Sequence, residues 1–178
     1  MLPLGTKAPE FSIVDSVTGK TASLTDLHGK KGTVIAFICN HCPFVVHVNP
    51  ELSKVAKDYQ NKGIRCIAIS SNDVVNYPKD APHLMKEKAK EEDFIFPYLY
   101  DENQEVAKAY DAACTPDFYL FDAHLKLVYR GQFDDSRPGN GIPLSGLDLR
   151  KAIDALLDKK EIDGLQKPSI GCNIKWIK

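Results

Sequence analysis

The chain has 178 residues, of which 43% are hydrophobic and 26% are charged, and its formal net charge at neutral pH is −1. A chain of this length and composition can bury one substantial core, so we expect a single domain over residues 1–178. The balanced charge argues against the basic surface that binds nucleic acid and against a polybasic membrane-binding surface. Disorder, which needs high net charge and few apolar residues, is excluded as well.

The sequence begins without an apolar stretch long enough for a signal peptide. Its longest apolar run, residues 34–39, is far shorter than the ~20 residues that a membrane helix needs. We therefore expect a cytoplasmic protein without a membrane span. Five cysteines in a chain with a full core do not suggest a secreted disulfide scaffold, so they are core residues, metal ligands or redox groups.

Apolar runs and turn residues predict alternating strands and helices along the chain. In order, they predict a hairpin within residues 11–24, a strand at 33–38, a helix at about 43–61 kinked at Pro50, a strand at 64–70, a helix at 82–91, an extended segment at 96–100, a helix at 105–111, a hairpin at 118–129 and a helix around 149–157. The strand–helix–strand unit implies a parallel strand pair, and the later hairpin adds antiparallel strands. We expect an α/β fold with a mixed central sheet covered by helices, and a flexible C-terminal tail from about residue 165.

Two cysteines, Cys39 and Cys42, flank the point where the buried strand gives way to the long helix. Pro43 suits the first helical position, so Cys42 is predicted to be the N-cap residue. A thiolate there accepts hydrogen bonds from unpaired backbone N–H groups and is stabilised by the helix dipole, and cysteine pKa values at such places fall from about 8.5 to roughly 3.5–7.5. A protonated His41 close by would act in the same direction.

The spacing of Cys39 and Cys42 is that of a CxxC pair, in which one thiolate attacks a substrate disulfide and the other thiol resolves the mixed disulfide. Two neighbouring core cysteines are one alternative interpretation. A metal site is another, but a structural zinc site usually needs four ligands, and only the fold could recruit His47 or Cys114. We expect no metal and no cofactor.

The sequence resembles the peroxiredoxin-like group of thioredoxin-fold proteins (alkyl hydroperoxide reductase / thiol-specific antioxidant) over about residues 5–160. The resemblance rests on residues 7–11, on residues 37–44 around the cysteines, and on residues 114–118. It implies a thioredoxin-like three-layer sandwich with an N-terminal hairpin extension. It also implies that Thr115-Pro116 is a cis-proline loop beside the active cysteine, with Pro116 holding substrate backbone near Cys42.

Two registers against thioredoxins are possible. In thioredoxins the first cysteine of CxxC opens the helix and a kink proline follows eight residues later, which is the spacing of Cys42 and Pro50. We prefer this register, which puts Val45 at the place of the usual resolving cysteine and Ala36 at the place of the buried acid. In the other register Cys39 is the nucleophile.

A peroxidase interpretation meets a difficulty. Peroxiredoxins carry the pattern Pro-x-x-x-Thr/Ser-x-x-Cys around the reactive cysteine, and a distant Arg that polarises the peroxide. Here Ile35 and Cys39 occupy the places of the Pro and the Thr, and Arg130 lies beyond the hairpin rather than near Pro116. Cleavage of the peroxide O–O bond needs donors for the developing charge, so the missing groups weaken this interpretation.

The sequence therefore predicts a thiol–disulfide oxidoreductase or antioxidant protein with Cys42 as nucleophile and Cys39 as the first resolving partner. Cys114 and Cys172 are the alternative resolving thiols, while Cys66 is predicted to be a core residue. The expected partners are a protein or small-molecule disulfide, or a peroxide, together with an external thiol reductant. A thiol-dependent peroxidase and a non-catalytic metal- or partner-binding module are the alternatives. We expect residues 134–137 to form a solvated turn.

Overall fold

A computed structural model describes residues 2–178. Its nine strands are β1 (Ser12–Asp15), β2 (Thr21–Ser23), β3 (Gly32–Phe37), β4 (Ile64–Ser70), β5 (Tyr98–Tyr100), β6 (Cys114–Thr115), β7 (Asp117–Asp122), β8 (Leu127–Gly131) and β9 (Cys172–Asn173). Its five α-helices are α1 (Leu24–Leu27), α2 (Pro43–Gln60), α3 (Pro82–Glu91), α4 (Glu105–Ala109) and α5 (Leu147–Leu157). Within residues 2–178, no helix combines the length and the apolar character needed to cross a membrane.

Seven of the strands form one mixed sheet in the order β2-β1-β5-β4-β3-β7-β8. The pairs β3–β4 and β4–β5 are parallel, while the remaining neighbours are antiparallel. The predicted parallel pair is therefore confirmed, with Gly32 opposite Ile64 at one end and Phe37 opposite Ile69 at the other. Strands β6 and β9 form a separate two-stranded antiparallel sheet.

The central strand β3 is buried on both faces, and its alternate side chains enter two different cores. Val34 and Ala36 join the core that α2, α3 and α5 cover, whereas Ile35 and Phe37 join the core that α1 and α4 cover. This alternation follows from the two-residue period of a strand. It produces three layers, with the sheet between two layers of helices, as the sequence predicts.

Helix α2 carries the cysteine pair to the carboxyl end of β3. Pro43 occupies its first turn, where a missing N–H costs nothing, and Pro50 lies inside the helix. One face of α2 is buried along its length by Val45, Val48, Leu52, Val55 and Tyr59, among others. The packing of this face fixes the N-terminus of α2, and with it Cys42, against the sheet.

The structure differs from the sequence-based elements at β2. We expected a strand continuing to Leu24, but β2 ends at Ser23 and the short helix α1 begins there. The reason is a capping box, because the Ser23 side chain accepts from the amide of Asp26 while the Asp26 carboxylate accepts from the amide of Ser23. These reciprocal bonds satisfy helix N–H groups that a continuing strand would leave unpaired.

The segment from about residue 165, expected to be a flexible tail, is bonded to the body of the protein. The Lys167 carbonyl accepts from the amide of Gln132 at 3.0 Å, and the Lys175 amide donates to the Asn72 side chain at 2.9 Å. Ile174 is buried in the core beneath α4. Near the end of the segment, the ring of Trp176 lies 6.0 Å from the Lys108 ammonium.

Two valines of α2 allow the burial argument to be tested within one helix. Val55 is fully buried and Val46 is 47% exposed. We expect Val55→Ala to lower the free energy of unfolding by about 2 kcal/mol, because it removes buried methyl groups and leaves a cavity. Val46→Ala should change it by less than about 0.5 kcal/mol. Chemical denaturation measures both, and equal effects would contradict the assigned core face.

Candidate active site

Cys42 is the N-cap residue of α2, as predicted, and its side chain is completely buried. The Cys42 thiol lies 3.2 Å from the Thr115 carbonyl oxygen, to which it donates when protonated. Cys39, at the end of the stretch that follows β3, is also completely buried, and its sulfur lies 3.5 Å from the Thr115 hydroxyl. The Thr115–Pro116 peptide bond is cis, which confirms the expectation from the resemblance.

Three cysteines surround Thr115, since Cys42 and Cys39 contact its carbonyl and hydroxyl groups and Cys172 lies opposite it in the pair of β6 and β9. A hydrogen bond from the Cys39 thiol is the largest cause that lowers the pKa of Cys42, to about 4, and burial of Cys42 opposes it. The thiol and amide of Cys172 and the amide of Val45 lower it further. The predicted cap hydrogen bond from the first turn to the Cys42 sulfur is not formed, because the Val45 amide donates to the Cys42 carbonyl oxygen instead.

Cys39 itself is held in the protonated form. Its hydrogen bond to Cys42, its burial and the negative charge of Asp80 all raise the pKa of the Cys39 thiol far above its ordinary value. A carboxylate oxygen of Asp80 lies within 4.8 Å of the Cys39 sulfur. Because a protonated thiol is a donor, Cys39 can stabilise the Cys42 thiolate without losing its own proton.

Asp80 holds the loop between the two cysteines. One of its carboxylate oxygens accepts from the amides of Asn40 and His41 at 2.8 and 3.2 Å. The other accepts from His41 Nδ1 at 2.6 Å and from the Asn72 side chain at 2.9 Å. Asp80 is completely buried, so these bonds replace its lost hydration. The His41 ring is therefore bound to Asp80 and stacked on Tyr77.

The other two predicted cysteines have different surroundings. The Cys114 thiol interacts with the Pro116 carbonyl oxygen at 3.8 Å, and burial is the main cause that raises the pKa of Cys114 to about 12. Cys66 lies in β4 and is buried in the core, as predicted, and burial raises its pKa to about 12. Neither thiol is among the groups that lower the pKa of Cys42.

Cys172 reaches the site through the pairing of β9 with β6. In this antiparallel pair Cys172 lies opposite Thr115, and Asn173 lies opposite Cys114. Burial, the hydrogen bond to Cys42 and the charge of Cys42 raise the pKa of Cys172 to about 11, while the Lys175 ammonium opposes them. The sequence left the position of Cys172 undecided, and the structure brings it to Thr115, the residue that the Cys42 sulfur contacts.

The sequence analysis missed a buried acid next to the cis-proline. Asp117 is 1% exposed and accepts from the Tyr119 hydroxyl at 3.0 Å. Its burial raises the pKa of its carboxyl group to about 6. Ala36 occupies the position in β3 at which thioredoxins carry a buried acid. In this chain the buried carboxyl group belongs to Asp117, in β7.

The turn at residues 134–137, which we expected to be solvated, is solvated only in part, since Asp135 is exposed and Arg137 is half-buried. Asp134 and Ser136 are buried, because the Asp134 carboxylate accepts from the amides of Ser136, Ser145 and Gly146. The Ser136 hydroxyl lies 2.9 Å from His47 Nε2. These bonds fasten the long loop to the first turns of α2.

A possible metal-ligand group lies in the same loop as the cysteine pair. Cys39, His41 and Asp80 place their ligand atoms within 4.8 Å of one another, and within residues 2–178 neither His47 nor Cys114 joins them. Both carboxylate oxygens of Asp80 already accept hydrogen bonds, as described above. This group is therefore explained as the hydrogen-bonded support of the loop.

Comparison with protein families identifies the group to which the chain belongs. Residues 4–130 match the model of the AhpC/TSA family. The chain belongs to this family. The thiol-disulfide oxidoreductase ResA of Bacillus thuringiensis is 26% identical over 127 residues, which cover 71% of this chain and 68% of that protein. The predicted resemblance to the peroxiredoxin-like group is thereby confirmed.

Solved structures confirm the predicted thioredoxin-like fold. The thioredoxin domain of a thiol-disulfide oxidoreductase from Bacteroides vulgatus has a TM-score of 0.68 at 21% identity, over 88% of this chain and 99% of that chain. An uncharacterized conserved protein from Geobacillus kaustophilus has a TM-score of 0.97 at 58% identity, over 99% of this chain and 94% of that chain. The latter likeness covers the C-terminal segment as well as the thioredoxin-like part.

The proposed role of Cys39 as donor can be tested by titration. We expect the ultraviolet absorbance of the Cys42 thiolate to be lost as the pH falls through about 4, because the folded chain holds the charged form down to that pH. Cys39→Ala removes the donor and should move the midpoint to higher pH. Cys39→Ser keeps a hydroxyl donor and should move it less. An unchanged midpoint in Cys39→Ala would contradict the assignment, and Cys42→Ser identifies the signal.

Proposed function

We propose that this chain is a thiol–disulfide oxidoreductase in which Cys42 is the nucleophile. The observation that carries the proposal is the placement of the Cys42 sulfur at the N-terminus of α2, beside the cis-proline, with a lowered pKa. A thiolate is the reactive form of cysteine, and at neutral pH Cys42 holds this form. Membership of the AhpC/TSA family and the ResA relatives support the same class of reaction.

In the proposed reaction the Cys42 thiolate attacks one sulfur of a substrate disulfide. A bond forms between the Cys42 sulfur and that substrate sulfur, the substrate disulfide breaks, and the second substrate sulfur leaves as a thiolate that takes up a proton. A second thiol of the protein then displaces the remaining substrate sulfur and forms an intramolecular disulfide with Cys42. An external dithiol reductant returns both cysteines to the reduced state, so two electrons pass from the reductant to the substrate.

Pro116 and Thr115 are proposed to position the substrate rather than to react. Thr115 contacts both sulfur atoms of the CxxC pair through its carbonyl and hydroxyl groups. Pro116 lines a small cleft next to the helix, together with Phe44 and Ile170. A substrate backbone bound beside Thr115 and Pro116 would bring its disulfide to Cys42, whose sulfur lies 3.2 Å from the Thr115 carbonyl oxygen.

The family match also favours a second candidate function, a thiol-dependent peroxidase. Peroxide reduction would use the same Cys42 thiolate, and it needs donors aimed at the leaving oxygen. Cys39 stands at the place of the hydroxyl residue and donates to the Cys42 sulfur itself. We therefore rank disulfide exchange above peroxide reduction.

The proposed partners are protein disulfides as substrates and an external dithiol as reductant. A cytoplasmic location remains a prediction from the sequence.

Reduction of insulin disulfides in the presence of a dithiol tests the proposed function. We expect Cys42→Ser to abolish the activity, because no other thiol of the site is held as a thiolate. Cys66→Ala is the matched control, since Cys66 is a core residue remote from the reaction, and it should retain the activity. Unimpaired reduction by Cys42→Ser would refute the proposal.

Mixing the reduced protein with hydrogen peroxide or an organic hydroperoxide separates the second candidate. Slow loss of thiols, no faster than for the thiolate form of free cysteine, is expected for an oxidoreductase that lacks donors for the leaving oxygen. Rapid oxidation confined to Cys42, followed by mass spectrometry, would instead establish the peroxidase.

A further inference from the structure

Two thiols, those of Cys39 and Cys172, lie beside Thr115, the residue that the Cys42 sulfur contacts, and their positions differ. Cys39 is fixed between β3 and α2 and is completely buried. Cys172 lies on β9, which is joined to the site by its pairing with β6. The sequence favoured Cys39 as the resolving thiol because of its CxxC spacing, but the surroundings of the two sulfurs point the other way.

The charges around the two thiols differ once Cys42 has reacted. Burial, the hydrogen bond to Cys42 and the negative charge of Cys42 keep Cys172 protonated in the resting site. A mixed disulfide on Cys42 carries no charge, so two of these three causes disappear while the Lys175 ammonium remains to favour ionisation. Cys39 also loses its bond to the thiolate, but the carboxylate of Asp80 stays within 4.8 Å of its sulfur and still disfavours ionisation.

The segment that carries β9 packs closely against β6. A Cβ atom added at Gly171 would lie 2.0 Å from the Thr115 carbonyl oxygen, so no side chain fits there. Backbone hydrogen bonds anchor the segment on either side of this point. The Gln132 amide donates to the Lys167 carbonyl, and the Ile174 amide donates to the Ala113 carbonyl. The absence of a side chain at Gly171 lets the chain approach Thr115 closely enough for Cys172 to reach Cys42.

Resting on the proposed function, we propose that Cys172 is the catalytic thiol that resolves the mixed disulfide on Cys42, and that β9 covers the site until it is displaced from β6 by the substrate. Cys39 is then the donor that stabilises the thiolate and takes no part in the disulfide. The edge of β6 that β9 leaves offers backbone N–H and C=O groups, which suit an extended polypeptide as substrate.

The resolving step balances without a further reagent. Cys172 gives up its proton and its thiolate attacks the Cys42 sulfur of the mixed disulfide. The bond between Cys42 and Cys172 forms, the bond between Cys42 and the substrate sulfur breaks, and the substrate leaves as a thiolate that accepts a proton. Cys172 is part of β9, so it reaches Cys42 when β9 pairs with β6 again. This pairing displaces the substrate strand from β6.

Limiting amounts of the aromatic disulfide dithionitrobenzoate provide the test, with the full-length reduced chain. Attack by Cys42 releases one thionitrobenzoate per reagent molecule, and resolution by a protein thiol releases the second. We expect the wild type and Cys39→Ser to release both. Cys172→Ser should lose the second release and keep a thionitrobenzoate adduct on Cys42, visible by mass spectrometry.

The outcomes separate the two proposals. Full release by Cys172→Ser, whatever Cys39→Ser does, overturns the assignment of Cys172. A first release in Cys42→Ser that is as fast as in the wild type overturns the proposed function instead. Disulfide mapping of the oxidised wild type needs no variant: a bond between Cys42 and Cys172 is expected, and a bond between Cys42 and Cys39 or Cys114 contradicts the inference.

Gly171→Ala separates a catalytic role of the segment from a merely structural one. The added methyl group overlaps Thr115 and weakens the pairing of β9 with β6. We expect the first release to become about tenfold faster, because Cys42 is uncovered, and the second to become slower, because Cys172 is less often in place. Slowing of both steps, or no change in either, would contradict the inference.

Discussion

The interaction between the Cys39 and Cys42 thiols, which lowers the pKa of Cys42 and raises that of Cys39, is the one on which the rest of the site depends. Burial alone would keep Cys42 protonated, because a charge loses its hydration in the protein interior. The donated proton of Cys39, together with donors from Val45 and Cys172, outweighs that cost. The fold provides these donors by bringing the end of β3, the start of α2 and the C-terminal strand to one point.

Asp80 helps to determine which of the two thiols keeps its proton. Its carboxylate binds the loop between the cysteines through two backbone amides and the His41 ring, so the loop has one shape. The same negative charge lies close to Cys39 and discourages it from ionising. One buried side chain therefore shapes the loop and keeps the proton on the sulfur that must donate it.

Much of the fold could be predicted from the sequence because its strands and helices have regular apolar patterns. The run from Val34 to Ile38 marks the central strand, and the position of Pro43 after Cys42 marks the start of α2. The short helix α1 was not predicted, because it depends on the two reciprocal hydrogen bonds between Ser23 and Asp26 and not on a repeated apolar pattern.

The site was predicted only where its residues are close in the sequence. Cys39 and Cys42 were found from their spacing, but the contact with Cys172 joins residues far apart and depends on a two-residue strand without periodicity. Asp80 is a single acid in a polar loop, and nothing near it in the sequence indicates that it binds His41. Only the packed structure shows which of these polar groups face one another.

The fastening of the C-terminal segment has a consequence for how the protein can be observed. Trp176 is the one tryptophan of the chain, and it follows Cys172 on the same segment, with its ring near the Lys108 ammonium. Indole emission is sensitive to a nearby charge and to exposure to water. The unlabelled protein thus carries an intrinsic fluorescent reporter on the segment that pairs with β6 beside Cys42.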